Sequence, residues 1–275
     1  MTYSTSLALT NCIVPDWPAP SGVKAIVTTR AGGVSTGSLS SLNLGRSVGD
    51  LPDAVEENRR RVAALVGAPP RWMSQVHGVT VADLDHIEVS APATADAAVS
   101  KARNVVCTVM MADCLSVLFC DRAGTTVAAA HAGWRGLADG VLESTIASMT
   151  LPPENLLAYM GPAIGPDAFE VGAEVRDRFL ASASAVERPA VSAAFVPKAG
   201  TGDGKKPNDD TVTMKWYANI YALAQTRLLR AGLSPSGVYG GGLCTFTDSK
   251  RFFSYRRGTH QGESSGRMAA MIWRD

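Results

Sequence analysis

The sequence predicts a mixed α/β (α+β) fold. Three observations lead to it: short β-branched runs that end at glycine or polar breaks, amphipathic helical stretches between them, and runs spaced closely enough to pair as hairpins, which implies a mixed sheet. "GVKAIVTTR" (22–30) reads as a strand, and "AGGVSTGSLSSLNLG" (31–45) as a long polar loop with Arg30 at the junction. "DLPDAVEENRRRVAALVG" (50–67) is a helix: acidic residues and Pro52 stand near its start, Val55, Val62, Leu65 and Val66 form a stripe, and Gly67 stops it. "RWMSQVHGVTVADLD" (71–85) reads as strand, turn, strand, with His77 and Gly78 at the turn. "NVVCTVMMADCLSVLFCD" (104–121) repeats that arrangement, with Ala112 to Cys114 at the break. "TTVAAAH" (125–131) is a short buried strand entering "AGWRG" and then a helix in which Leu137, Val141, Ile146 and Met149 share a face. "WYANIYALAQTRLLRAG" (216–232) is a second amphipathic helix, whereas "GVYGGGLCTFTD" (237–248) and "RFFSYRRG" (251–258) are strand-like with turns. Residues 188–211, rich in Gly, Pro, Lys and Asp without a period, read as an exposed loop.

At 275 residues and 46% hydrophobic content the chain can fill a sizeable core. It shows no repeat or linker, so residues 1–275 are expected to form one domain. Lys plus Arg (26) nearly balance Asp plus Glu (25), leaving no long-range field to gather a polyanion. Nucleic acid is therefore not expected as a partner. The first residues carry no basic leader, and no segment reaches the roughly 18 to 20 apolar residues that span a bilayer. A cytoplasmic location without a membrane partner is the expectation. Five cysteines, an odd number without framework spacing, point to reduced thiols.

Of the four histidines, His77 and His131 share a setting, a β-type segment running into a nearby glycine, and Cys114 lies at a comparable strand edge. Two imidazoles and a thiolate suit a borderline-soft ion such as zinc, and three protein ligands leave a fourth position for water or substrate. No CxxC or HExxH pattern fixes these ligands locally, and from spacing alone a packing cysteine and two turn histidines are the favoured readings. His86 and His260 read as surface residues. Arg135, in "HAGWRG" at a helix start, could hold a phosphate or carboxylate, or could serve as a structural ion-pair residue. Arg30 invites the same two readings, and Asn43 in "SLNLG" reads first as a turn residue and second as a substrate contact. Arg59 to Arg61 lie on the helix, point in different directions and are expected to meet water. Asp113 reads as a turn aspartate that caps backbone N–H groups.

Taken in order, "TTRAGGVS", "SLNLG", "GD" then "EENR", "QVHG", "ADA", "ADCLSVLFCD", "AAAHAGWRG", "GPAIGP" then "FEVG", "CTFT", "FFSYRR" and "GRMA" run over nearly the whole chain. This set resembles the family known variously as polyphenol oxidase or laccase-domain proteins, purine nucleoside phosphorylases and peptidoglycan editing factor. The resemblance implies a single-domain α-β-β-α layered sandwich and one zinc ion held by His77, Cys114 and His131. It also implies substrate or phosphate contacts at Arg30, Asn43 and Arg135. The chain departs from the family pattern after "SYRR", where Gly258 stands in place of a frequent aspartate. The implied activity is phosphorolysis of adenosine, inosine or guanosine, with adenosine deamination as a companion; the alternative is hydrolytic editing of a cell-wall precursor. Copper oxidation of phenols fits poorly, because a multicopper oxidase consumes far more imidazoles than four, although a single copper could occupy the same site. A non-enzymatic, metal-stabilised binding role would require a fourth protein ligand closing the site. The expected partners are thus small molecules: a purine nucleoside and phosphate, or a cell-wall precursor.

Overall fold

The computed structural model describes residues 7–87, 92–198 and 214–275. The chain begins with β1 (Cys12–Ile13), β2 (Val23–Thr28), α1 (Pro52–Val66), β3 (Pro70–Arg71), β4 (Val81–Asp83) and β5 (Ala97–Ser100). It continues through β6 (Val106–Met111), β7 (Leu115–Asp121), β8 (Val127–Ala132), α2 (Trp134–Asp139), α3 (Val141–Met149) and β9 (Leu156–Met160). Then follow β10 (Glu170–Gly172), α4 (Ala173–Ser182), α5 (Arg188–Ala193), β11 (Phe195–Pro197), β12 (Lys215–Ala218), α6 (Ile220–Arg230), β13 (Val238–Gly240), α7 (Tyr255–Gln261) and β14 (Met268–Arg274).

Two large mixed sheets form the centre, in the orders β1-β2-β14-β6-β3 and β13-β9-β7-β8-β5-β4; a small third sheet, β10-β12-β11, adds Val171, Phe195 and Ala218 to the core on the helix side of the second. Strand alternation explains the layering. On the first sheet Val27, Val109, Met111, Ala270 and Ile272 meet Ala98, Leu118, Cys120, Val127 and Ala129 of the second, forming a core between the sheets. The opposite face of the first sheet, with Ile26, Val106, Ala269 and Met271, packs on Val62 and Val66 of α1. The opposite face of the second, with Val117, Phe119, Ala128 and Ala130, packs on α2, α3 and α6 through Leu137, Ile146 and Leu223. The order is therefore α-β-β-α, as the resemblance implies.

Several local expectations are corrected. The runs on either side of Ala112–Cys114 are not a hairpin: β6 belongs to the first sheet and β7 to the second, so the chain crosses between sheets there. The link from β3 to β4 makes the same crossing. A local apolar pattern is the same for a hairpin and for such a crossing, which is why the sequence suggests pairing. "WYA" is strand, and the helix begins only after Asn219, whose side chain accepts from the Ala222 N–H as an N-cap. "SYRRG", strand-like by its aromatics, opens α7, because the Ser254 hydroxyl caps the Arg257 N–H. The stretch from Leu137 to Met149 is two helices divided at Gly140 (φ 103). In the segment 188–211, α5 and β11 occupy residues 188–197, and residues 199–211 lie outside the described residues. All five cysteines are free thiols, and among the described residues no helix is long and apolar enough to cross a membrane.

Candidate metal centre

His131 lies near the end of β8, where alternation puts it on the same face as Val127 and Ala129, toward the layer between the sheets. Cys114 sits on the crossing between β6 and β7, and His77 on the crossing between β3 and β4. Both crossings bend sharply: His77 has φ 62, and Asp113, just before Cys114, has φ 89. Side chains in that region need compensation from their surroundings.

For His77 the compensation is Asp96. Its fully buried carboxylate accepts the N–H groups of Val76, His77 and Gly78 at 3.1, 2.9 and 2.7 Å. The same carboxylate meets His131 Nδ1 at 2.9 Å, which leaves His131 Nε2 free to ligate. Burial would raise the Asp96 pKa, but the His131 contact and the backbone N–H groups hold it below the ordinary carboxylate range. One acid therefore fixes the turn that carries one histidine and the ring of the other.

The ligand atoms of His77, Cys114 and His131 all lie within 4.8 Å of one another. Cys114 Sγ is 3.8 Å from His77 Nε2, and the two imidazoles meet edge to face with centroids 4.8 Å apart. Gly133 makes this approach possible, since a Cβ there would stand 2.9 Å from His77 Cδ2 and 3.0 Å from Cys114 Sγ. Burial alone would raise the Cys114 thiol, yet the His131 and His77 rings outweigh it and bring it down to about 6. Burial likewise opposes charge on His131, but the Cys114 thiolate and Asp96 raise its pKa to about 9. Each group thus favours the charged form of the other, which draws the sulfur toward its ligating form. Two imidazoles and a thiolate could bind a metal ion, and among the described residues no fourth His, Cys, Asp or Glu joins them.

The cluster opens into a cavity of about 890 Å³ whose wall carries Arg46, Arg59, Arg135, Arg256 and Arg267. Arg135 is exposed, lies over the Trp134 ring at 4.4 Å and lines the cavity. Arg30 and Asn43 do not line this cavity. The Arg30 guanidinium donates to the carbonyls of Ser40, Ser249 and Ser38 and lies over the Phe253 ring, so its donors are spent on loop architecture. Asn43 is fully buried; its Oδ1 accepts from the N–H groups of Gly45 and Arg267, and its Nδ2 donates to Asp50. The turn reading of Asn43 holds. So does the capping reading of Asp113, whose carboxylate accepts from the Arg256 N–H at 2.7 Å and from the hydroxyls of Thr245 and Ser254. His86 is exposed beside Asp83, and His260 is exposed on α7. Gly258 is buried, and a Cβ there would meet the Glu263 carbonyl at 2.9 Å, so the loop after α7 closes onto a position that admits no side chain.

Two residues escaped the sequence reading. Asp96 stands in the "ADA" motif at an alanine-rich strand start, where nothing local marks its role. Arg59 was expected in water with its neighbours but is 8% exposed and lines the cavity; its only sequence signal is a place one residue from Asn58, which is itself buried.

Comparison with known proteins yields a consistent set. The family model described as multi-copper polyphenol oxidoreductase laccase matches residues 24–275. A purine nucleoside phosphorylase of Pseudomonas aeruginosa is 51% identical over 261 residues, covering 95% of this chain and 97% of that protein. The purine nucleoside phosphorylase YfiH of Escherichia coli (strain K12) is 50% identical over 267 residues, covering 96% and 99%. The crystal structure of the Neisseria meningitidis protein NMB0706, of family-model DUF152, superposes with a TM-score of 0.83 at 48% identity, covering 96% of this chain and 99% of that one.

Proposed function

The chain belongs to the multi-copper polyphenol oxidoreductase laccase family, and from that membership we propose that it is a zinc-dependent purine nucleoside phosphorylase acting on adenosine, inosine or guanosine. The observation that carries this reading is the His77–Cys114–His131 cluster opening onto a cavity with five arginines. Relatives at 50 and 51% identity named purine nucleoside phosphorylases support an enzyme of this class.

The reaction breaks the bond between the ribose C1′ and the purine nitrogen, forms one from C1′ to a phosphate oxygen, and leaves the electron pair and a proton on the base. A zinc ion held by His77, Cys114 and His131 would supply a Lewis acid that polarises a substrate oxygen. Asp96 holds the backbone turn that carries His77 and keeps the His131 ring in one orientation. The arginines neutralise phosphate charge, with Arg135 at the cavity wall as a substrate contact. Trp72 and Trp134 also line the cavity, each with a guanidinium over its ring, that of Arg59 and that of Arg135.

The family description names copper, yet the chain has four histidines, of which His86 and His260 are exposed and stand outside the cluster. A blue-copper centre with a coupled copper cluster cannot be assembled from two imidazoles. Hydrolytic editing of a cell-wall precursor is the second reading that the same open ligand set permits. Phosphate separates the two. Adenosine, incubated with zinc-loaded protein in a cytoplasm-like buffer, is expected to give adenine only when phosphate is present; inosine formed without phosphate would add deamination. No product under either condition would end the nucleoside reading and leave hydrolysis of a cell-wall precursor to be tested.

A further inference from the structure

Three arginines of the cavity meet at one short stretch of backbone, Arg59 through its guanidinium, Arg267 through its main chain and stem, and Arg46 as part of the stretch itself. The Leu44 carbonyl accepts from Arg59 Nε and Nη2 at 3.0 and 2.8 Å. The Leu44 N–H donates to the Arg267 carbonyl at 3.0 Å. A Cβ on Gly45 would lie 2.7 Å from Arg267 Cγ, so the bare glycine makes room for the Arg267 stem. Arg46 follows directly, and all three arginines line the cavity.

Arg59 is the unusual member. A buried guanidinium ordinarily sits opposite a carboxylate; Arg59 is 8% exposed and has no ion pair among the described residues. Its plane lies over the Trp72 ring at 4.2 Å, its Nη2 also reaches Met110 Sδ, and its Nη1 has no partner among the described residues. Burial and the neighbouring Arg46 lower its pKa to about 10, so the fold holds a cation where cations are disfavoured. Nearby Glu56 is engaged by Arg46 Nε at 2.8 Å. Arg267 spends Nη1 on the carbonyls of Ser265 and Gly266, leaving Nε and Nη2 without described partners. Among the described residues Asp113 is the one acid lining the cavity, and its two oxygens are taken by Thr245, Ser254 and the Arg256 N–H. What the wall lacks is an anion with several acceptor oxygens.

We propose that Arg59, with Arg46 and Arg267, forms the subsite for the inorganic phosphate co-substrate, on the part of the cavity wall built around Leu44–Arg46. The assignment rests on the phosphorolytic reading above and adds to it the residues that hold the second substrate. Arg59, stacked on Trp72 and tied to Leu44, presents a preorganised donor, and Arg46 and Arg267 close on the remaining oxygens.

The test is calorimetric titration of the metal-loaded full chain with inorganic phosphate, paired with KM values for phosphate and for nucleoside. Arg59→Gln is expected to raise the Kd and KM for phosphate at least tenfold while the KM for nucleoside stays within twofold. A variant that binds phosphate as the wild type does, with products still phosphate-dependent, would overturn the subsite and leave phosphorolysis standing. A wild-type chain that binds no phosphate and yields no phosphate-dependent product would overturn both. Should Arg59→Gln fail to fold by circular dichroism, Arg46→Gln, on an exposed side chain, carries the test: a threefold or larger rise in phosphate KM supports the subsite, and an unchanged value overturns it.

Discussion

At Asp96 both carboxylate oxygens are in use: Oδ1 meets the His77 N–H and the His131 ring, and Oδ2 the N–H groups of Val76 and Gly78. Asp96→Asn replaces one of these acceptors with an NH₂ group facing donors. Metal affinity is expected to fall by about 10- to 100-fold, with folding weakened by about 1–3 kcal/mol; competition with a chelator and a urea midpoint read the two effects. Wild-type affinity in this variant would mean that the histidines are positioned by something else. Cys114 supports a second prediction. In metal-free protein its alkylation rate should rise with pH through a midpoint near 6, whereas a buried thiol such as Cys120, raised to about 12 by burial, stays unreactive. The linked stability effects have opposite signs. The depressed Cys114 pKa makes folding more favourable as pH rises from about 6 toward its ordinary 9. The raised His131 pKa makes folding less favourable from its ordinary 6.5 toward about 9. The contributions nearly cancel in that window. Cys114→Ser removes the first and, with the thiolate gone, the leading cause that raises His131, so both opposing contributions are expected to shrink together.

Among the elements, α1 and β8 are the ones most legible in sequence. Pro52, the stripe at Val55, Val62 and Val66, and Gly67 at φ 79 mark the helix in full, and "TTVAAAH" marks a strand that delivers His131 to its end. Legibility fails where a pattern has two tertiary outcomes. The apolar runs around Cys114 serve equally for a hairpin and for a crossing between sheets, and only the partner strands decide. "SYRR" carries strand-like aromatics, but a capped Ser254 and the Arg256 N–H on Asp113 turn it into helix. On α1 the inward-facing arginine could not be told from its neighbours, because what covers Arg59 is Leu44, Trp72 and Met110 from other segments. The junction of β8 and α2 gives an element-scale prediction. Gly133→Ala inserts a methyl group within 3.0 Å of both His77 and Cys114. Overpacking of this kind costs about 1–3 kcal/mol. The variant is expected to fold, to bind zinc at least tenfold more weakly in a chelator competition, and to lose turnover in step.

Across the whole molecule, the three ligands belong to the seam between two sheets: two ride on the links that cross it and the third ends a strand of the second sheet. The layered architecture follows from motif order along the chain, which also singles out the three clustered residues, whereas the seam itself depends on long-range strand order that no local window contains. A metal bound there should fasten one sheet to the other. At a free metal concentration a hundredfold above Kd the gain is about 2.7 kcal/mol, which corresponds to a rise of about 5–10 °C in Tm for a chain of this size. Chelation should remove that increment from the wild type and leave Cys114→Ser unaffected; an equal response in both would place the metal elsewhere. Strand order also bears on synthesis. Every ligand, and Asp96 with them, has been made by residue 131, yet β14 stands between β2 and β6 and is the last of the described strands to leave the ribosome. The nascent chain therefore carries an ordinary cysteine thiol and two imidazoles before the sheet that must align them can close, and the thiol gains its thiolate character only when the two rings reach it.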